Sequence, residues 1–214
     1  MLAAARSVLG PSVKLVGASR TDAGVHAMRQ VASLTTDNTL DAAIIGRALN
    51  ATLPRDVRVL RSVEADADFD ARRSATGKRY AYVIDAGLVA DPLLRRVAWH
   101  VSTPLDLDAM RAALRTVLGA HHFGAFCAAA GRDAIPLCRI RAIHIVRRKL
   151  RVVIVIAADR FLHHMVRNLV GSAVLVGRGS RAPTWLGDVL TSRDRRRAGP
   201  TAPAHGLFLV RVLY

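Results

Sequence analysis

The segment Arg20-Thr21-Asp22-Ala23-Gly24-Val25-His26-Ala27 sets a carboxylate between an arginine and a glycine turn. Small residues around Asp22 let a flat substrate come close, and a carboxylate can attack as a nucleophile or take up a proton. An aspartate in such a turn also has an ordinary use, bonding its own backbone. The second candidate is the stretch Phe161-Leu162-His163-His164-Met165-Val166-Arg167-Asn168-Leu169-Val170-Gly171. Read as a helix, it carries one apolar stripe at Phe161, Met165, Leu169 and Ala173, with Leu162, Val166, Val170 and Val174 beside it. His163, Arg167 and Gly171 then fall on the other side, next to His164 and Asn168. That side either faces water or directs Arg167 into a cleft, where it pairs with an anion and Gly171 removes bulk beside it. The two histidines are adjacent rather than four apart, which speaks against a helical metal site.

Tyr80 and Tyr82 alternate on a predicted strand and so share a face. Lys78 and Arg79 stand beside Tyr80. A ring next to cations suits stacking on a nucleic-acid base, and it equally suits packing on a half-buried sheet. Arg193 to Arg197 form a charge cluster near the C-terminus, either a solvated loop or one that faces phosphates.

The elements that must hold these groups alternate between the two regular periods. Helices are predicted over residues 2–9, 40–49, 107–118, 161–176 and 182–190. Asn38 or Thr39 can cap the second of them. Strands are predicted over residues 13–17, 25–34, 57–63, 74–84 and 207–213, with a hairpin of 140–146 and 152–156 across Arg147-Arg148-Lys149. This pattern reads as an α+β protein with two related lobes.

The 214-residue chain is 51% hydrophobic, which excludes a disordered protein. It carries 32 Lys and Arg against 16 Asp and Glu, a formal net charge of +16. A field of that sign and size favours a polyanionic partner such as nucleic acid, or an anionic membrane surface. No apolar run approaches the ~18 residues of a membrane span. Cys127 and Cys138 lack the spacing of a zinc site or a disulfide framework, and free thiols fit a reducing cytosol.

Four blocks together resemble the tRNA pseudouridine synthase A family. They are VGASRTDAGVHA at residues 16–27, ARRSATGKRYAY at 71–82, FLHHMVRNLVG at 161–171 and TAPAHGL at 201–207. They come in family order and run over essentially the whole chain. The resemblance implies an isomerase that converts uridine to pseudouridine at positions 38–40 of the tRNA anticodon stem-loop. It implies two ferredoxin-like lobes with joined antiparallel sheets around a basic cleft, here residues 1–72 carrying the catalytic aspartate and residues 73–214. It further implies a cytoplasmic homodimer that needs no cofactor and no metal. Asp22 matches the catalytic aspartate, Arg167 its buried basic partner and Tyr80 the tyrosine that packs on the target base. Arg20 matches an arginine beside the active-site strand and Leu207 an apolar wall of the pocket. His163, Lys78 and Arg79 complete the expected RNA-contacting set. The chemistry fits these types: a nucleophilic aspartate must be ionised, an arginine partner favours its charged form, and a target base must leave its stack to be reached.

Two departures from the family pattern bear on stability. The chain starts inside the family's first helix, without the opening strand and its Gly-Trp loop, which is expected to leave backbone groups unpaired. Ser19 stands where the family usually has glycine, a cost of order 1 kcal/mol if the backbone there is left-handed. The alternative readings are a non-catalytic RNA-binding remnant of the family and a basic structural protein of a ribonucleoprotein. Asp22 separates them, because a mere binder does not need its carboxylate.

Overall fold

A computed structural model describes residues 1–128 and 136–214. The chain forms two compact units, Met1–Arg20 with Val31–Ala75, and Thr21–Gln30 with Thr76–Tyr214. The segment carrying Asp22 therefore packs with the C-terminal residues, and the units do not follow the expected division at residue 72.

In the first unit, helix α1 (Leu2–Leu9) leads to strand β1 (Lys14–Gly17). Of the next two strands, β2 (His26–Ala27) belongs to the second unit, and β3 (Ala32–Thr35) pairs antiparallel with β1. The single strand expected over residues 25–34 is thus two strands in two sheets. The chain passes from one unit to the other between them, so one continuous ladder cannot serve both. Helix α2 (Ala42–Thr52) begins two residues later than predicted. Its cap is Asp41, whose carboxylate accepts from the amides of Ala43 and Ile44. Ala5, Leu9, Val13, Ile45, Leu49 and Leu53 form the buried core of this unit. The predicted strand at residues 57–63 does not form. The Asn50 side chain takes both backbone groups of Val59, donating to its carbonyl at 2.8 Å and accepting from its amide at 2.7 Å. The Val59 amide is thereby spent and its carbonyl already engaged, which competes with a ladder there.

The second unit is built on a seven-stranded sheet. Its strands are β2, β4 (Gly77–Asp85), β5 (Trp99–His100), β6 (Gly119–His122), β7 (Leu137–Arg148), β8 (Arg151–Ala158) and β9 (Leu207–Leu213). The order is β2-β9-β4-β8-β7-β6, with β5 on β4. The long pairs are antiparallel, and the short pairs β2–β9 and β4–β5 are parallel. The β7–β8 hairpin is the predicted one, with Lys149 left-handed at its turn. Tyr80, Tyr82 and Ile84 of β4 lie opposite Ile156, Ile154 and Val152 of β8, and all six are buried. Helices α3 (Leu107–Arg115), α4 (Met165–Gly177) and α5 (Trp185–Ser192) complete the unit, with α3 packed on α4 and on β7.

The fold is α+β. No helix among the described residues is long and apolar enough to cross a membrane. Among the described residues the left-handed non-glycine positions are Lys149, His164 and Arg193; Ser19 is not one of them, so the condition for strain there is not met.

Candidate active site

Asp22 lies in a tight turn closed by a bond from the Val25 amide to its carbonyl, 3.0 Å. Gly24 sits at φ 82°, a conformation that glycine adopts without steric cost. The turn feeds β2, which is fixed to β9 by the pairs His26↔Phe208 and Ala27↔Leu209. The His26 ring stacks on Phe208 at 4.7 Å. Asp22 is thereby anchored by strand pairing just downstream, and side chains take up its carboxylate.

Those side chains come from the start of α4. Arg167 donates from Nη1 to Asp22 Oδ2 at 2.8 Å. His164 Nε2 lies 3.1 Å from the same oxygen, and His163 Nε2 lies 3.3 Å from Oδ1. The helix does not begin at residue 161 as the periodicity predicts. It begins at Met165, after His164 at φ 61°. A left-handed residue of this kind is uncommon, although histidine is enriched among them. The reversal it makes turns two adjacent imidazoles, with ring centroids 4.0 Å apart, toward one carboxylate. Burial holds the His164 pKa below its ordinary value; the Asp22 charge opposes this, and His163, Arg167 and Arg195 add to it. The three donor atoms of Asp22, His163 and His164 lie within 4.8 Å of one another, a spacing that a metal ion can bridge.

The water-facing reading of α4 fails. Asn168, Gly171 and Ser172 are all buried, and the Arg167 side chain is only 14% exposed. The reason is the segment before β9, which lies along this face. Arg167 Nε donates to the Ala202 carbonyl at 2.7 Å, and the Ala202 amide donates back to the Arg167 carbonyl at 3.1 Å. A Cβ at Gly171 would run into the Pro200 carbonyl, so glycine there admits the segment. Asn168 ties it further, accepting from Thr201 at 2.7 Å and Arg195 at 3.0 Å while donating to the Phe126 carbonyl at 2.7 Å. Arg195, from the predicted charge cluster, is therefore a structural tie to this segment.

The remaining predicted residues lie around this centre rather than in it. Tyr80 is 6% exposed and meets Phe161 edge-on at 5.0 Å. Lys78 and Arg79 precede it on β4, half-buried and exposed. Leu207 is buried on β9 opposite Tyr82, whose hydroxyl donates to the Pro203 carbonyl at 2.8 Å. Burial raises the Tyr82 pKa, with the Arg167 charge opposing. Arg20 is exposed and belongs to the first unit. Sequence reasoning missed three participants: the His164 imidazole as a partner of Asp22, the Ala202 carbonyl, and Asn168 as the tie to Thr201. The only signal for the last was a polar residue beside Arg167 in a largely apolar helix.

A family model described as tRNA pseudouridine synthase matches residues 3–72 and 113–214, which include Asp22, His163, His164 and Arg167. The chain belongs to that family. It is similar to tRNA pseudouridine synthase A of Myxococcus xanthus, 43% identical over 208 residues, covering 97% of this chain and 78% of that protein. The protein of the same description in Thermoanaerobacter sp. strain X514 is 38% identical over 211 residues, 99% of this chain and 86% of that one. That of Chloroflexus aurantiacus strain J-10-fl is 45% identical over 206 residues, 94% and 74%. Tyr80, Lys78 and Arg79 fall between the two stretches matched by the tRNA pseudouridine synthase model.

Proposed function

We propose that this tRNA pseudouridine synthase family member isomerises uridine to pseudouridine at positions 38–40 of the tRNA anticodon stem-loop, with Asp22 as nucleophile. The observation that carries the reading is the 2.8 Å contact of Arg167 with Asp22, which pairs a cation with the carboxylate that must be ionised to attack. In the reaction the N1–C1′ bond breaks, the uracil turns, a C5–C1′ bond forms and the C5 hydrogen leaves as a proton. Asp22 either attacks C1′, forming an ester to the ribose, or adds to C6 of the base. In the first route C5 displaces the carboxylate from C1′ as the new bond forms; in the second the carboxylate leaves C6 afterwards, when the C5 proton is lost and the C5=C6 double bond is restored. A covalent Asp22 adduct to C6 would decide for the second.

Tyr80 is the ring assigned to stack on the uracil, and Leu207 the apolar wall of its pocket. His163, Lys78, Arg79 and Arg20 are assigned to the RNA. The formal charge of +16 supports a polyanionic substrate, since cationic side chains grip phosphates without regard to sequence. A homodimer acting in the cytoplasm is the form that the family resemblance supports. The test is release of tritium from tRNA labelled at uridine C5. Release that matches pseudouridine formation supports the reading, and its absence from folded protein with bound tRNA favours a non-catalytic RNA binder.

A further inference from the structure

The histidine pair at Asp22 exceeds what an arginine–carboxylate pair requires. We propose that Asp22, His163 and His164 form a site for a divalent transition metal of the Zn2+ class, and that its occupation inhibits the enzyme. The donor set is two imidazoles and a carboxylate, and all three ligand atoms lie within 4.8 Å of one another. Zn2+ sits ~2.0–2.2 Å from nitrogen and oxygen ligands, which sets neighbouring donors of a tetrahedron ~3.3–3.6 Å apart. His163 Nε2 lies 3.3 Å from Oδ1 and His164 Nε2 3.1 Å from Oδ2, so each imidazole already stands near that edge from one carboxylate oxygen. Binding requires the metal to replace the hydrogen-bonding protons between these groups and to draw donors that now lie within 4.8 Å of one another to its tetrahedral edge. The ligands are partly open to solvent, at 38% for the His163 side chain and 27% for His164 and Asp22, so a metal can enter and a water can fill the fourth position. Imidazole favours Zn2+ and its transition-metal neighbours over Mg2+, which prefers an all-oxygen shell.

Arg167 makes this an inhibitory site rather than a resident one. Its guanidinium lies 2.8 Å from Oδ2 and is tied to the Ala202 carbonyl, so it stays beside any incoming cation and repels it. A metal that binds takes the lone pair Asp22 needs for attack. The binding is independent of the proposed reaction; the inhibition rests on it.

The experiment uses the full chain without RNA. Zn2+ affinity is measured by competition with a chromophoric chelator, and the ligand set by the visible spectrum with Co2+. One Zn2+ per chain is expected, together with a tetrahedral Co2+ spectrum lacking the thiolate band that Cys127 or Cys138 would give. Loss of an outer-shell partner already costs ~10–100-fold in metal affinity, so His163→Ala and His164→Ala should each weaken binding at least ~10-fold. Arg167→Gln should tighten it severalfold. Circular dichroism checks that the variants fold, and Mg2+ should not compete. Absence of binding, a thiolate band, or unchanged affinity in both folded histidine variants would overturn the site. In the activity arm, Zn2+ should reduce tritium release with the midpoint seen in the binding titration, reversed by a chelator. Zn2+ that binds without slowing release would overturn the inhibition. No release even without metal would count against the proposed reaction and leave the binding result standing.

Discussion

Arg167 reaches Asp22 across 145 residues of sequence, Nη1 to Oδ2 at 2.8 Å, while its Nε holds the Ala202 carbonyl at 2.7 Å. One guanidinium thus ties the nucleophile assigned here to the segment entering β9. Both bonds use the planar fork that lysine lacks.

Arg167→Lys should therefore impair the reaction even though the charge is kept. A hydrogen bond to a charged group is worth ~1.5–3 kcal/mol, which corresponds to ~10–150-fold in rate if it is lost in the transition state. Single-turnover kinetics should show that fall with tRNA affinity changed much less. A rate within twofold of the wild type would show that the charge alone suffices and that the fork is not needed.

Gly171→Ala should act at a distance from the chemistry. The added methyl meets the Pro200 carbonyl and pushes the 200–202 backbone off α4. Overpacking of this kind costs ~1–3 kcal/mol. Thermal unfolding should occur at lower temperature, and activity should fall further than stability because Ala202 no longer holds Arg167. An unchanged melting temperature would contradict the packing described.

Asn168→Leu should destabilise through orphaned partners. It removes the acceptor of Thr201 and Arg195 and the donor to Phe126, all around a residue with no solvent exposure. Each buried group left unpaired costs ~1–3 kcal/mol. Denaturant titration should show a lower midpoint, and one equal to the wild type would show that the network contributes nothing.

Cys138 offers a pH test of burial. Its thiol is pushed up to about 11, from an ordinary 9.0, chiefly by burial, with Arg160 opposing and Asp159 and Cys127 adding. The folded state therefore favours the protonated thiol. Stability from this group is complete below pH 9.0 and is lost as pH rises toward 11. Alkylation of Cys138 in the folded chain should be slow at neutral pH and keep rising toward pH 11, whereas the unfolded chain levels off near 9.0. Equal profiles in the two states would refute the shift.

Asp22 and Arg167 stood out in the sequence through the blocks that resemble the family, while their residue types alone left a turn-forming aspartate and a water-facing arginine open. The apolar periodicity of α4 and the β7–β8 hairpin were legible because both follow a local period. What failed depends on distant partners. The left-handed turn at His164 leaves no composition signal, so periodicity ran the helix four residues too far and put both histidines on its face. Residues 57–63 look like a strand, but Asn50 occupies the Val59 backbone. The apparent strand at 25–34 divides because its two ends belong to different sheets. The burial of the α4 polar face is set by Pro200 and Ala202, about 30 residues away, and no local pattern encodes it.

Catalysis is assigned to the Asp22 carboxylate, and Asp22→Asn isolates that group because the substitution keeps shape and removes charge. The measurement is tritium release from C5-labelled tRNA by the wild type and this variant, with tRNA binding measured in parallel. Release is expected from the wild type alone, with binding by the variant equal or tighter because a negative charge is gone. Release by Asp22→Asn at the wild-type rate would exclude Asp22 as the nucleophile.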